Sequence, residues 1–163
     1  MPDLSFLDDL DRRLLDLVRV DATRSLRELG DLVGLSPSAV QRRLARLRAA
    51  GVIRAEVALV DPRALGLAMT TLALVELDTD DHRQVTAFTE LAGADPAVTT
   101  CFHVAGQWDF AVVVRTADFD GYRQVAERLF LTNPAVRRYE TLPVYSGWPA
   151  GARTMSKWTR DQL

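Results

Sequence analysis

Ser36, Ser38, Gln41, Arg42 and Arg46 stand close together in the stretch SPSAVQRRLARLRAAG, and their side chains are those that bind DNA. Arginine reaches guanine edges and phosphates, glutamine and serine hydrogen-bond base edges, and a serine hydroxyl or a helix amide takes a phosphate oxygen. The stretch reads as one helix, capped by Ser36, with Pro37 at its first turn and Gly51 at its stop. At 100° per residue, Val40, Leu44 and Leu47 share a narrow arc while Ser38, Arg42, Ala45 and Ala49 point the other way. Arg42 and Arg46 lie one turn apart on the free side, Gln41 and Arg48 border it, and Arg43 sits beside the apolar stripe in a structural position. The helix holds four arginines and no acid, and its alanine-rich outer surface allows close entry to a major groove about 12 Å wide. A solvated amphipathic helix is the plainer reading of the same pattern, and the neighbouring sequence decides between them.

Leu7, Leu10, Leu14, Leu17 and Val18 predict a first helix ending near Val20, with Asp8, Asp9 and Asp11 at its start, where the helix dipole favours acid. Ser25 and Glu28 form a capping box that opens a second helix carrying Leu26, Leu29, Leu32 and Val33, and Gly34 closes it. Only Leu35 then precedes the Ser36 cap, which makes the glycine-containing turn of a helix-turn-helix and favours DNA. The valine-rich run from Val52 to Asp61 reads as a wing strand, placing Arg54 near the phosphate backbone.

Charge is uneven. Residues 1–35 sum to −3, 36–51 to +4, 52–60 to zero and 61–163 to −3, for a net −2. The positive charge is on one helix, not spread as a general nucleic-acid coating. Of twelve aromatic residues only Phe6 precedes Phe88, which points to two domains. One cysteine and two histidines exclude an internal disulfide and the usual zinc sets, so no metal is expected. An acidic N-terminus and the lack of a long apolar run predict a cytoplasmic protein with no membrane partner.

Beyond a break at Asp61, Pro62 and Arg63, the order is a strand from about Leu67 to Leu77, a helix from Asp81 to Ala92 and a strand from Val98 to Ala105. The turn GQWD, a strand Phe110 to Thr116, a helix Asp118 to Leu131 and a strand Val136 to Tyr145 complete it. This βαββαβ order is that of a ferredoxin-like sheet with both helices on one face, and Pro143 is tolerated if the last strand is an edge. The other face would be apolar through Met69, Leu72, Leu74, Val112 and Val114, and self-association would cover it. The expected division is 1–60, a winged helix-turn-helix; 61–66, a linker; 67–147, an α+β effector-binding and oligomerisation domain; and 148–163, a tail in which Trp148 and Trp158 suggest docking while Pro149 and Gly151 favour flexibility.

In the turn, Gly106 permits close approach, Trp108 offers an apolar wall and Asp109 suits an ammonium group. Glycine and aspartate are also ordinary hairpin formers, so a plain turn stays open. Cys101 and His103 share a strand face beside it.

The segments LDDLDRRLLDLV, SLRELGDLVGLSPSAVQRRLARLRAAGVI, VDPRALGL, VAGQWDFAVVV and NPAVRRYETLPVYS together resemble the Lrp/AsnC (leucine-responsive regulatory protein) transcription factors, from about Asp9 to Ser146. The resemblance implies double-stranded DNA as a partner, homodimers that assemble further into octamers, and amino acids or related metabolites as effectors in place of a cofactor. It places the effector around Gly106, Gln107, Trp108 and Asp109, with Thr141 from the last strand, and it implies no catalytic residue. Trp108 stands where tyrosine is frequent in the family, and Thr23 stands where arginine is frequent. The alternative is a sirohaem decarboxylase, a class that resembles the same two-domain architecture and uses histidines in the second domain.

Overall fold

A computed structural model of the chain describes residues 7–78 and 81–145; the tail with Trp148 and Trp158 lies outside the described residues. The chain divides into two compact units between Ala58 and Leu59.

Among the described residues the first unit holds three helices: α1 (Asp9–Val20), α2 (Leu26–Val33) and α3 (Pro37–Ala49). Capping boxes open the first two, Asp8 with Asp11 and Ser25 with Glu28, and the Ser36 hydroxyl accepts the Ala39 N–H to open α3. Leu14, Leu29, Val33, Val40, Leu44 and Leu47 are the buried core. Val52 and Ile53 pack against it, and their N–H groups donate to the Leu47 carbonyl.

The expected wing strand does not form. From Arg54 to Val60 the chain has no ladder partner among the described residues, and Val57, Leu59 and Val60 stand exposed. A valine-rich run supplies strand propensity but not the second strand that a ladder needs.

The second unit is β1 (Met69–Leu77), α4 (His82–Ala94), β2 (Val98–His103), β3 (Phe110–Thr116), α5 (Phe119–Ala126) and β4 (Val136–Pro143). The strands form one antiparallel sheet in the order β2-β3-β1-β4. This is the expected ferredoxin-like arrangement, and β4 with Pro143 is an edge. β1 begins at Met69 and not Leu67, because the Leu67 N–H donates to the Pro62 carbonyl and closes a 3-10 turn over Pro62–Leu65. The last helix is also not uniform. Glu127–Leu131 is a π-turn, with Thr132 N–H donating to the Glu127 carbonyl, and it lets the consecutive Leu129 and Phe130 both face the core.

Alternation along the strands assigns the faces. Thr71, Ala73, Val75 and Leu77 of β1 and Phe110, Val112, Val114 and Thr116 of β3 are buried under the helices, with Phe88, Tyr122, Val125 and Phe130. Val112 and Val114 therefore belong to the helix-covered core and not to the uncovered face, and Met69 packs against the same core. The other face, uncovered among the described residues, carries Leu72 opposite Val113 and Leu142, and Leu74 opposite Ala111, with Phe102 of β2 beside Ala111. A one-residue error in phase moves a side chain to the opposite face.

The helix-turn-helix depends on one close passage. A Cβ built on Gly30, in α2, would lie 2.4 Å from the Leu35 carbonyl oxygen, to which the neighbouring turn is fixed by Leu35 N–H donating to Gly30 O at 2.9 Å. Gly34 closes α2 in the left-handed region at φ 75°. The obstacle is backbone on both sides, so no rotamer relieves it. Gly30→Ala is expected to destabilise the first unit by about 1–3 kcal/mol, read as a lowered melting temperature, whereas Gly93→Ala in α4, where a Cβ meets nothing within 4 Å, should not lower it.

Candidate nucleic-acid interface and effector turn

α3 presents Ser38, Gln41, Arg42, Ala45, Arg46 and Ala49 to solvent and buries Val40, Leu44 and Leu47, as the wheel predicts. The Ser36 hydroxyl lies 3.1 Å from that of Ser38 while it caps Ala39, so both serines sit at the mouth of the helix. Arg54 is exposed on the extended segment that follows.

The four arginines differ sharply in engagement. Arg43 Nη1 donates to Asp8 Oδ2 at 2.7 Å and to Asp11 Oδ1 at 2.8 Å, and its side chain is 24% exposed. Arg46 Nη2 donates to Asp11 Oδ2. Arg48 turns to Glu56 through Nε at 3.1 Å and Nη2 at 2.6 Å. Arg42 makes no hydrogen bond or ion pair with another described residue. The structural position read for Arg43 agrees with its contacts, while Arg46 is tied to α1 more closely than its outward position suggests.

Asp11 is the residue that the sequence reading passed over as a helix-dipole acid. It is 0% exposed. Its signal was present: Leu7, Asp11, Leu14 and Val18 follow helical spacing, so an acid stands within the apolar stripe of α1. A buried carboxylate needs paired donors, and the arginines of α3 supply them. The Asp8 carboxyl is held below its usual range, first by the Asp11 N–H and then by Arg43, while the two carboxylates raise the pKa of Arg43.

In the second unit, the GQWD turn joins β2 to β3. Gly106 has φ 142°, Gly106 and Gln107 are exposed, and Trp108 and Asp109 are half-buried. The Arg138 guanidinium lies 4.5 Å from the centre of the Trp108 ring and pairs with Glu76, as does Arg137 at 3.0 Å. Asp109 is an organising residue of the sheet end: its Oδ2 accepts the Leu77 N–H at 2.7 Å, its N–H donates to the Val75 carbonyl at 2.9 Å and its carbonyl accepts the Val104 N–H at 2.8 Å. Thr141 is not brought to this turn within one chain. It lies opposite Ala73 on the helix-covered face, where its hydroxyl is 2.7 Å from that of Tyr122. His103 is exposed with its ring against Phe110, at 5.0 Å between centroids, and burial pushes the Cys101 thiol up. Among the described residues no group of three or more His, Cys, Asp or Glu is placed to hold a metal ion, and no helix is long and apolar enough to cross a membrane.

Residues 7–48 match the AsnC-type helix-turn-helix domain, and residues 71–148 match the Lrp/AsnC ligand binding domain. The chain belongs to the Lrp/AsnC family. It is 36% identical over 138 residues to an HTH-type transcriptional regulator of Sinorhizobium fredii, covering 85% of this chain and 82% of the relative. It is 32% identical over 123 residues to the glutamate uptake regulatory protein of Zymomonas mobilis, covering 76% of this chain and 75% of that one. The fold is shared with a Neisseria meningitidis transcriptional regulator solved as a complex with L-Met, at a TM-score of 0.79 and 24% identity over 88% of this chain and 92% of that one. Like other members of the Lrp/AsnC family, the protein is a DNA-binding transcriptional regulator with an effector-binding domain.

Arg43→Ala would leave the buried Asp11 with Arg46 and would remove the two hydrogen bonds that Arg43 gives, one to Asp8 and one to Asp11. A loss of about 1–3 kcal/mol is expected, seen as a lowered melting temperature, while Arg42→Ala melts like the wild type. The pH dependence follows from Asp8. Its folded pKa is below the ordinary 3.8, so the contribution is full above that value and is lost as pH falls through the lower folded value. Acidification below about pH 4 should therefore lower the wild-type melting temperature more steeply than that of Arg43→Ala.

Proposed function

We propose that the protein binds a near-palindromic operator as a homodimer and that an amino acid or related metabolite, bound at the GQWD turn, alters that binding. The observation that carries the DNA half is α3 itself: an acid-free exposed face with short side chains, on which Arg42 is unengaged by any described residue. Ser38, Gln41 and Arg42 read base edges, and Ser36 at the helix mouth and Arg54 on the following segment lie at phosphates.

A homodimer is supported by the open sheet face, where Leu72, Leu74, Val113, Leu142 and Phe102 form an apolar patch that no second layer of the described residues covers. Family resemblance supports further assembly of dimers, up to octamers. The effector half is supported by the match to a ligand binding domain over residues 71–148, by the name of the Zymomonas relative and by the L-Met complex of the Neisseria protein. At the turn, Gly106 and Gln107 offer an accessible edge, and Trp108 with Arg138 offers an apolar wall beside a cation suited to a carboxylate. The Asp109 carboxylate holds that end of the sheet in shape through Leu77. Thr141 is paired with Tyr122 on the helix-covered face of its own chain and is left out of the seat.

Two titrations test this reading. Against a duplex selected by the wild type from a random pool, Arg42→Ala should lose about 1–3 kcal/mol and relax preference at one base pair; a uniform loss on all sequences would assign Arg42 to phosphate. A thermal-shift screen of the amino acids should find one or more that raise the melting temperature by an amount that grows with the logarithm of concentration over Kd. Trp108→Ala should remove that shift and leave unliganded DNA binding in place. A full shift in Trp108→Ala would move the seat elsewhere.

A further inference from the structure

Four arginines stand on α3, yet most of their charge is already engaged within the first unit. Asp11 is the common acceptor for two of them. Oδ1 takes Arg43, Oδ2 takes Arg46, and Oδ2 also accepts the Asp8 N–H at 3.2 Å. Asp8 adds a second acceptor for Arg43, and Glu56 engages Arg48. These pairs are not equivalent. Arg48 and Glu56 are both about half exposed, and such a pair exchanges readily for water or phosphate. Asp11 is 0% exposed, and a carboxylate with no access to water cannot release its cations without being left uncompensated.

That difference bears on DNA selectivity. Non-specific affinity comes from cations that displace counterions from phosphates, and each such contact adds about 0.9 to the slope of log affinity against log salt. It raises binding to every sequence alike. A helix with four free arginines would hold any duplex well, and discrimination would rest on a small excess.

We propose that Asp11 is a specificity-determining residue: by holding Arg43 and Arg46 on its buried carboxylate it withholds two cations from DNA phosphates, leaving recognition to Arg42 with Ser38 and Gln41. This rests on α3 being the recognition helix. Asp11 does not touch DNA and acts through the arginines, so it is a positioning residue. A residue that only supports folding would, when changed, lower affinity for all sequences together. Removal of Asp11 should instead raise affinity for the wrong ones.

The experiment uses the full chain and two probes: a duplex selected by the wild type from a random pool, and an unrelated duplex of the same length, each titrated across salt. Asp11→Asn keeps the shape and removes the charge. The expected result is tighter binding to the unrelated duplex and a salt slope steeper by about 0.9 for each arginine released per recognition helix, with a lower ratio of selected to unrelated affinity. Equal losses on both duplexes with an unchanged slope would overturn the proposal. Should Asp11→Asn fail to fold by circular dichroism, Arg46→Gln decides, since Asp11 keeps its contact with Arg43. Binding to the unrelated duplex and its slope should then stay at wild-type values, and a weaker affinity with a shallower slope would overturn the proposal because Arg46 would already be on phosphate. Failure of the wild type to bind any duplex would overturn the reading of α3 itself, and with it the proposal.

Discussion

The recognition helix is aimed by a carboxylate that water cannot reach. Asp11 lies inside the apolar stripe of α1, and its charge is tolerable only while Arg43 and Arg46 of α3 face it. Hydrophobic contact among Leu14, Leu44 and Leu47 fixes that the helices pack, but such contacts are non-directional and allow sliding or rotation at modest cost. Paired hydrogen bonds from two arginines one turn apart restrict both the rotation of α3 and its position along α1. Replacing a buried ion pair by apolar residues is often neutral or stabilising, so orientation is a better account of this arrangement than added stability. At the other end of α3, the turn depends on Gly30, because the Leu35 carbonyl crosses where any Cβ would stand.

Much of this was legible in the sequence where local chemistry decides the outcome. The Ser25–Glu28 capping box, the Ser36 cap and the Gly34 stop lie where their residue types place them, because each depends on a few consecutive residues. The order of strands and helices was legible for the same reason. Features that depend on distant partners were not. Asp11 looked like one of several acids at a helix start until its partners, 32 and 35 residues away, came into view. Gly30 inside a helical pattern was the available hint of a close approach. Val52–Val60 has the composition of a strand, but only a partner could make it one.

Sheet phase and the GQWD turn show the same limit. Strand alternation divides residues into two sets without saying which set meets the helices. Val112 and Val114 share a face with Phe110, and that face is the one α4 and α5 cover. Thr141 illustrates the consequence: its phase on β4 puts it beside Tyr122 on the helix-covered face, whereas Arg138 has the phase that meets Glu76 and Trp108. Neither Glu76 nor Arg138 was visible as a neighbour of the turn, because the three come from β1, β4 and the β2–β3 connection. Asp109 was visible, but its hydrogen bonds to β1 account for an acid there without any ligand.

A regulator built from two units must connect a ligand in one to DNA at the other. The turn belongs to the second unit and α3 to the first, so an effector that touches only the turn changes DNA affinity through an equilibrium both units share. Assembly is such an equilibrium: two copies present two recognition helices, and their spacing sets whether both reach successive major grooves about 34 Å apart. The coupling need not be large. A change of about 1–3 kcal/mol, or roughly 5- to 150-fold, is typical of allosteric proteins, and linkage requires DNA to alter effector affinity by the same factor. The turn sits at the end of β1, where Asp109 holds Val75 and Leu77, and Leu72 and Leu74 of that strand lie on the uncovered face. On the proposed reading, a ligand that shifts this end of the sheet acts on the strand whose apolar face would seat a second copy, without any change in the contacts made within a recognition helix.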